Sequence, residues 1–159
     1  MRLKNKIAMV VGAGQTPGPT IGNGRVTALL FAREGAQVLA VDRDIESAQE
    51  TVELIQHEGG QGEAVVADVV DETSLEAAVK HCKDRLGRLD ILHNNVGIGT
   101  GDRGPTHITE DVWDHIFATN LKSIMFTCKH ALPIMREQQG GCIVCLLYNL
   151  RAHETSLHL

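Results

Sequence analysis

Aromatic residues are scarce in this chain, which has one tryptophan, one tyrosine and three phenylalanines among 159 residues. No basic block accompanies them, and the formal net charge is -5. Neither the stacking surface nor the electrostatic footprint of a nucleic-acid binder is present. Long apolar runs are also missing, and none approaches the roughly 20 residues of a membrane-spanning helix. The segment Met1–Lys6 is charged and leads directly into an apolar strand, without the hydrophobic region of a signal peptide, so a cytoplasmic location is expected. Cysteines number four, at 82, 128, 142 and 145. They are expected to be reduced, buried core thiols. Cys142 and Cys145 have the spacing of a redox or metal pair, but on a strand residues three apart face opposite ways. The eight histidines are scattered, none paired at helical spacing around a carboxylate, so no metal site is expected. Internal repeats and low-complexity tracts are absent.

What the chain does have is length enough for one core and an apolar content of 43%. We expect a single domain over residues 1–159. Strand and helix signals alternate along it. Ile7–Val11 is a continuous apolar run ended by glycine, as befits a strand buried on both faces of a parallel sheet. A helix is expected over Arg25–Glu34, with Gly35 at its end. Strands at Gln37–Val41, Glu63–Ala67 and Leu89–His93 alternate with helices at Ile45–His57 and Ser74–Leu86. A flexible loop with glycines at 97, 99, 101 and 104 precedes a long helix from about Val112 to Gln138, which Pro133 should kink or break. A fifth strand is expected at Ile143–Leu147. This is an α/β pattern: a doubly wound, parallel, three-layer sheet of Rossmann-like type, incomplete at its C-terminal half.

The first strand-to-helix turn carries the chemistry. Such a turn needs glycine for tightness, for backbone approach to phosphates and for helix–strand contact, while the helix N-terminus offers unpaired N–H groups to an anion. Gly12, Gly22 and Gly24 fit those roles if Arg25 opens the helix. An alternative register, Gly12-x-Gly14-x-x-x-Gly18, would place Pro19 and two glycines inside the helix. Asp42 ends the second strand, where a carboxylate accepts hydrogen bonds from both ribose hydroxyls and repels a 2′-phosphate. That favours NAD over NADP, although the neighbouring Arg43 would suit a phosphate. The plainer reading of Asp42 is a loop acid or a helix cap.

Three further motifs, Asp68-Val69, Asn94-Asn95-Val96-Gly97 and Thr119-Asn120-Leu121-Lys122, stand in an order and spacing that resembles the classical short-chain dehydrogenase/reductase family. The resemblance covers residues 2–144, leaving 145–159 as a divergent tail. It implies that Asp68 and Val69 hold an adenine and that Asn95 lies along the adenosine side, with Asn94 stabilising the central strands. Asn120 would be the helix asparagine of the catalytic set, fixing a water in a proton relay. On physical grounds alone Asn120 reads as a helix-interior polar residue bonding locally. With Asn23 between the last two glycines, these residues complete the expected nicotinamide-dinucleotide site.

Two departures stand out. Nine residues separate Gly12 from Gly22, six more than the family's motif has, and they include Pro17 and Pro19, implying a stiff protruding loop. The family's chemistry also needs a tyrosine, ionised with help from a lysine four residues on, and a serine on the preceding loop. Here the single tyrosine, Tyr148, is followed four positions later by Ala152, and Ser156 lies too far along. The resemblance therefore implies an oxidoreductase acting on alcohols or carbonyls, with this chain catalytically impaired. The loss of resemblance after Val144 is what a truncated or frame-altered product would show. It would leave the fifth strand as an exposed sheet edge. The second reading is a non-catalytic dinucleotide-binding or interaction protein pairing with a full-length homologue, or forming a homo-oligomer. A third, a methyltransferase using adenosyl-methionine, is opposed by the asparagine motifs.

Overall fold

A computed structural model of the chain describes residues 1–16 and 18–146. Five parallel strands form one sheet: β1 (Ile7–Val11), β2 (Gln37–Asp42), β3 (Gln61–Val66), β4 (Ile91–Asn94) and β5 (Cys142–Cys145), in the order β3-β2-β1-β4-β5. From β1 the chain winds outward through β2 to β3, then returns to the other side of β1 and continues outward through β4 to β5. The reversal places a switch point between β1 and β4, where open α/β sheets bind ligands.

Alternation along β1 divides the core in two. Met9 and Val11 point to one side, where Leu39, Leu75, Leu92 and Phe126 pack from the helices α3 (Glu72–His81) and α5 (Ser123–Glu137) and from neighbouring strands. Ala8 and Val10 point to the other, against α1 (Asn23–Arg33) and α2 (Ile45–His57) through Ala28, Val52 and Ile55. The α1–α2 side is rich in alanine, with Ala8, Ala13, Ala28, Ala32, Ala36 and Ala40 all buried there. Burying a side chain such as Leu39 or Leu92 contributes roughly 1.5–3 kcal/mol, and both are fully buried.

Helix starts follow local capping. Asp44 accepts the Ser47 N–H ahead of α2, and Asp71 accepts the Thr73 N–H ahead of α3. The Asp71 cap explains why α3 begins two residues before the expected Ser74. Its C-terminal continuation, Cys82–Leu86, is wound as a π-helix rather than α. Strand bounds shift as well: β3 starts two residues before the expected Glu63, and β4 runs one residue past the expected His93. The expected long helix is three pieces: α4 (Glu110–Phe117), a π-helical turn over Ala118–Lys122, and α5. Pro133 does not break α5, which continues to Glu137. The proline and the Lys129 side chain are both exposed, so water can satisfy a carbonyl that loses its helical donor.

The cysteines correct another expectation. Cys82 is buried, and burial pushes its thiol up to about 12. Cys128 is half-buried, but Cys142 and Cys145 are exposed. The reason is positional, because β5 is an edge strand of the described sheet and only Ile143 of it packs on the core. Leu147, Tyr148, Ala152 and Ser156 lie outside the described residues. Among the described residues no helix is long and apolar enough to cross a membrane, and no cluster of potential metal ligands forms.

Candidate dinucleotide site

The C-terminal ends of β1, β2, β3 and β4 open on a cavity of about 410 Å³. Its wall contains Gly12, Gly22, Asn23, Gly24, Asp42, Asp68, Val69 and Asn95. Eight residues predicted from separate motifs therefore share one cavity. Asn120 does not line it, though Thr119 and Ile98 beside it do.

The glycine turn is built around two backbone contacts. Gly12 has a φ of +81°, in the left-handed region, and its carbonyl accepts the Asn95 side-chain amide at 3.1 Å. Gly24 lies in the first turn of α1, and a Cβ there would overlap the Gly12 carbonyl oxygen. Gly22 is the N-cap, in extended conformation and without a side chain to cap the helix. The first helical hydrogen bond runs from Val26 N–H to the Gly22 carbonyl, so the N–H groups of Asn23, Gly24 and Arg25 have no helical acceptor. The helix starts two residues before the expected Arg25. Gly18 sits in open loop with nothing within 4 Å of a built Cβ, which sets aside the alternative register.

Asp42 is held from two sides. Its Oδ2 accepts the Gly14 N–H at 2.8 Å and its Oδ1 accepts the Asp44 N–H at 3.1 Å. Two backbone donors fix the carboxylate in one orientation at the cavity wall, yet each oxygen keeps acceptor capacity. Asp68 follows β3, is exposed, and accepts the Val70 N–H at 3.1 Å.

The two adjacent asparagines divide their work. Asn94 is buried and accepts the Thr127 hydroxyl at 2.9 Å, joining β4 to α5. Asn95 braces the glycine turn, and its Oδ1 is buried without a hydrogen-bond partner among the described residues. Asn120 does not bond within its own helix. Its Oδ1 accepts the Ile98 N–H and its Nδ2 donates to the Ile98 carbonyl, both at 2.8 Å. It lies in the π-helical turn, and it pins the glycine-rich loop that follows β4. Wound turns of this kind recur at functional sites.

Sequence reasoning missed Gly14, Gln15, Ser47 and His115, all of which line the cavity. Gly14 enters the sequence pattern only through the alternative register, yet a Cβ there would lie 2.8 Å from both Asp42 Oδ2 and Ser47 Oγ. The packing of the loop onto α2 has no sequence signal, because Gln15 and Ser47 are 32 positions apart.

An open parallel sheet with a glycine turn and an acid at its switch point defines the Rossmann-like nucleotide-binding class. A family model described as short chain dehydrogenase matches residues 6–147. An uncharacterised oxidoreductase of Bacillus subtilis is 38% identical over 143 residues, covering 89% of this chain and 50% of its own length. The 3-oxoacyl-[acyl-carrier-protein] reductase of Thermotoga maritima is 33% identical, with 91% of this chain and 56% of that protein covered. A crystal structure described as a short-chain dehydrogenase/reductase from Burkholderia xenovorans superposes with a TM-score of 0.86 at 44% identity, covering 91% of this chain and 56% of that one. The chain belongs to the short-chain dehydrogenase/reductase family. It spans about half the length of the curated relatives it matches.

Proposed function

We propose that this chain binds NAD(H) in the cavity at the switch point and is the dinucleotide-binding part of an oxidoreductase acting on alcohols or carbonyls. The observation that carries the reading is the meeting of Asp42 with the unpaired N–H groups of α1 in one cavity. Those N–H groups suit a diphosphate. A Cβ at Gly12 would collide with Val96 and one at Gly24 with the Gly12 carbonyl oxygen, so the cradle keeps its shape only with glycine at both positions. Asp42 accepts ribose hydroxyls and repels a 2′-phosphate, while Asp68 and Val69 hold the adenine. Asn120 acts by fixing the loop after β4. A bound nicotinamide supplies the hydride donor or acceptor of the family's reaction. The curated relatives differ in what their names say they act on, including a 3-oxoacyl-carrier-protein, a steroid, cyclohexanol and galactitol, so the substrate class is no narrower than alcohol or carbonyl.

The proton-transfer chemistry is another matter. A phenol needs a nearby ammonium to ionise near working pH, and Tyr148 has Ala152 where the lysine would stand. We infer that these 159 residues bind the cofactor without turning it over. Calorimetry tests both halves. NADH is expected to bind more tightly than NADPH, and Asp42→Ala to narrow that preference by roughly tenfold. No NADH should form with a panel of alcohols. Equal affinity for the two nucleotides, or ordinary turnover, removes the corresponding half of the reading.

A further inference from the structure

The loop between Gly12 and Gly22 is much longer than a glycine turn needs, yet a single side chain holds it together. The Gln15 Oε1 accepts the Gly22 N–H at 2.8 Å, while its Nε2 donates to the carbonyls of Thr16 at 2.6 Å and Thr20 at 2.9 Å. A side-chain amide has two N–H donors and one carbonyl, so all three polar functions are engaged inside the loop. The loop's base is fastened to the neighbouring βα unit, with the Gln15 N–H donating to Ser47 Oγ at 2.6 Å and the Gly14 N–H to Asp42 Oδ2 at 2.8 Å.

This arrangement solves two problems. Gly22 cannot cap α1, but Gln15 satisfies the N-cap's own N–H from upstream, as a glutamate at the third helical position does in a capping box. Asn23 and Gly24, whose N–H groups have no helical acceptor, still line the cavity. The rest of the loop is also kept aside: of its described residues 15, 16 and 18–20, only Gln15 and Thr16 line the cavity.

We propose that Gln15 is a positioning residue for diphosphate binding, folding the long glycine loop around its own amide so that the loop clears the helix N-terminus. The proposal rests on the dinucleotide reading above. It locates the entry to the diphosphate cradle in one residue of this chain's inserted loop.

The test compares wild type, Gln15→Ala, Gln15→Glu and a chain lacking residues 16–21, which restores a three-residue spacing between Gly12 and Gly22. Each is titrated with NADH, ADP and adenosine, and amide hydrogen exchange at Gly22 is followed without ligand. Gln15→Ala is expected to weaken NADH and ADP roughly tenfold, the scale of a lost cap, and to leave adenosine unchanged. Gln15→Glu keeps the acceptor but loses both donors, and should follow the same direction at nearly native size. Exchange at Gly22 should accelerate in Gln15→Ala, and adding that substitution to the shortened chain should cost nothing further. Unchanged or tighter binding of ADP by both Gln15 variants overturns the proposal, as does an equal loss for adenosine. Wild-type protein that binds neither NADH nor ADP removes the dinucleotide reading and this one with it. Wild-type binding with unaffected variants removes this one alone.

Discussion

Gly24 has no room for a side chain, because the atom it would gain lies on the Gly12 carbonyl oxygen. Backbone cannot yield as a flexible side chain does, so Gly24→Ala must push α1 away from β1. The expected cost is about 1–3 kcal/mol, the range for overpacking, read as a lowered urea midpoint with NADH affinity lost. Gly18→Ala is the control: the position is open, and the change should stay within about 0.5 kcal/mol. The contrast was readable only in part beforehand. Spacing singled out Gly12, Gly22 and Gly24, but the need for glycine at position 14 arises from Asp42 and Ser47, which approach it only in the folded chain. Asp42 itself was identified by its place at a strand end. That two backbone N–H groups orient it was not, since Gly14 reaches it across 28 positions.

At the scale of elements, β4 carries a titratable group where the core is tight. His93 is buried and lies edge-on to Phe31 of α1, with ring centroids 6.3 Å apart. Burial lowers its pKa below the ordinary histidine value, offset in part by a hydrogen bond to the Val144 backbone. The folded chain therefore favours the neutral ring, and the unfolded chain binds the proton first as pH falls. The histidine's contribution is fully present above about 6.5 and is lost as pH drops through the lower folded value. Hydrogen-bond donors hold Glu34, Glu58, Asp71, Glu72 and Asp111 below the usual carboxylate range, so their losses come at lower pH. Urea unfolding between pH 7 and 5 should show stability falling, and His93→Leu should flatten that slope. An unchanged slope in the variant would assign the loss to other groups. The Asp71 cap moved the start of α3 ahead of its first apolar residue, but strands and helices at this scale otherwise followed the apolar pattern. The π-helical turns did not, since nothing in the residues 118–122 marks an extra residue per turn. The expected burial of Cys142 and Cys145 conflicts with the exposed edge expected for the same strand, and among the described residues the edge position decides it.

For the molecule as a whole, the cavity lies where the winding of the sheet reverses, with walls drawn from the ends of β1 and β2 and from the turns that follow β3 and β4. A ligand there touches both directions of winding at once. Saturation should accordingly stabilise the chain as one unit: at NADH a hundredfold above its dissociation constant, linkage gives about 2.7 kcal/mol. Circular dichroism and tryptophan fluorescence from Trp113, which lies on α4 outside that wall, should report the same shifted urea midpoint. Two separated midpoints would show that the ligand acts on one side only.

The wound turn over Ala118–Lys122 also sets a rotational phase. Asn120 grips the Ile98 backbone on one side of it, and Thr127 reaches Asn94 on the other. A regular helix turns about 100° per residue. A π-helical turn advances less per residue than that, so the five residues from 118 to 122 absorb a surplus residue between α4 and α5. That slack lets one chain segment keep two anchorages, Asn120 on Ile98 and Thr127 on Asn94, in step.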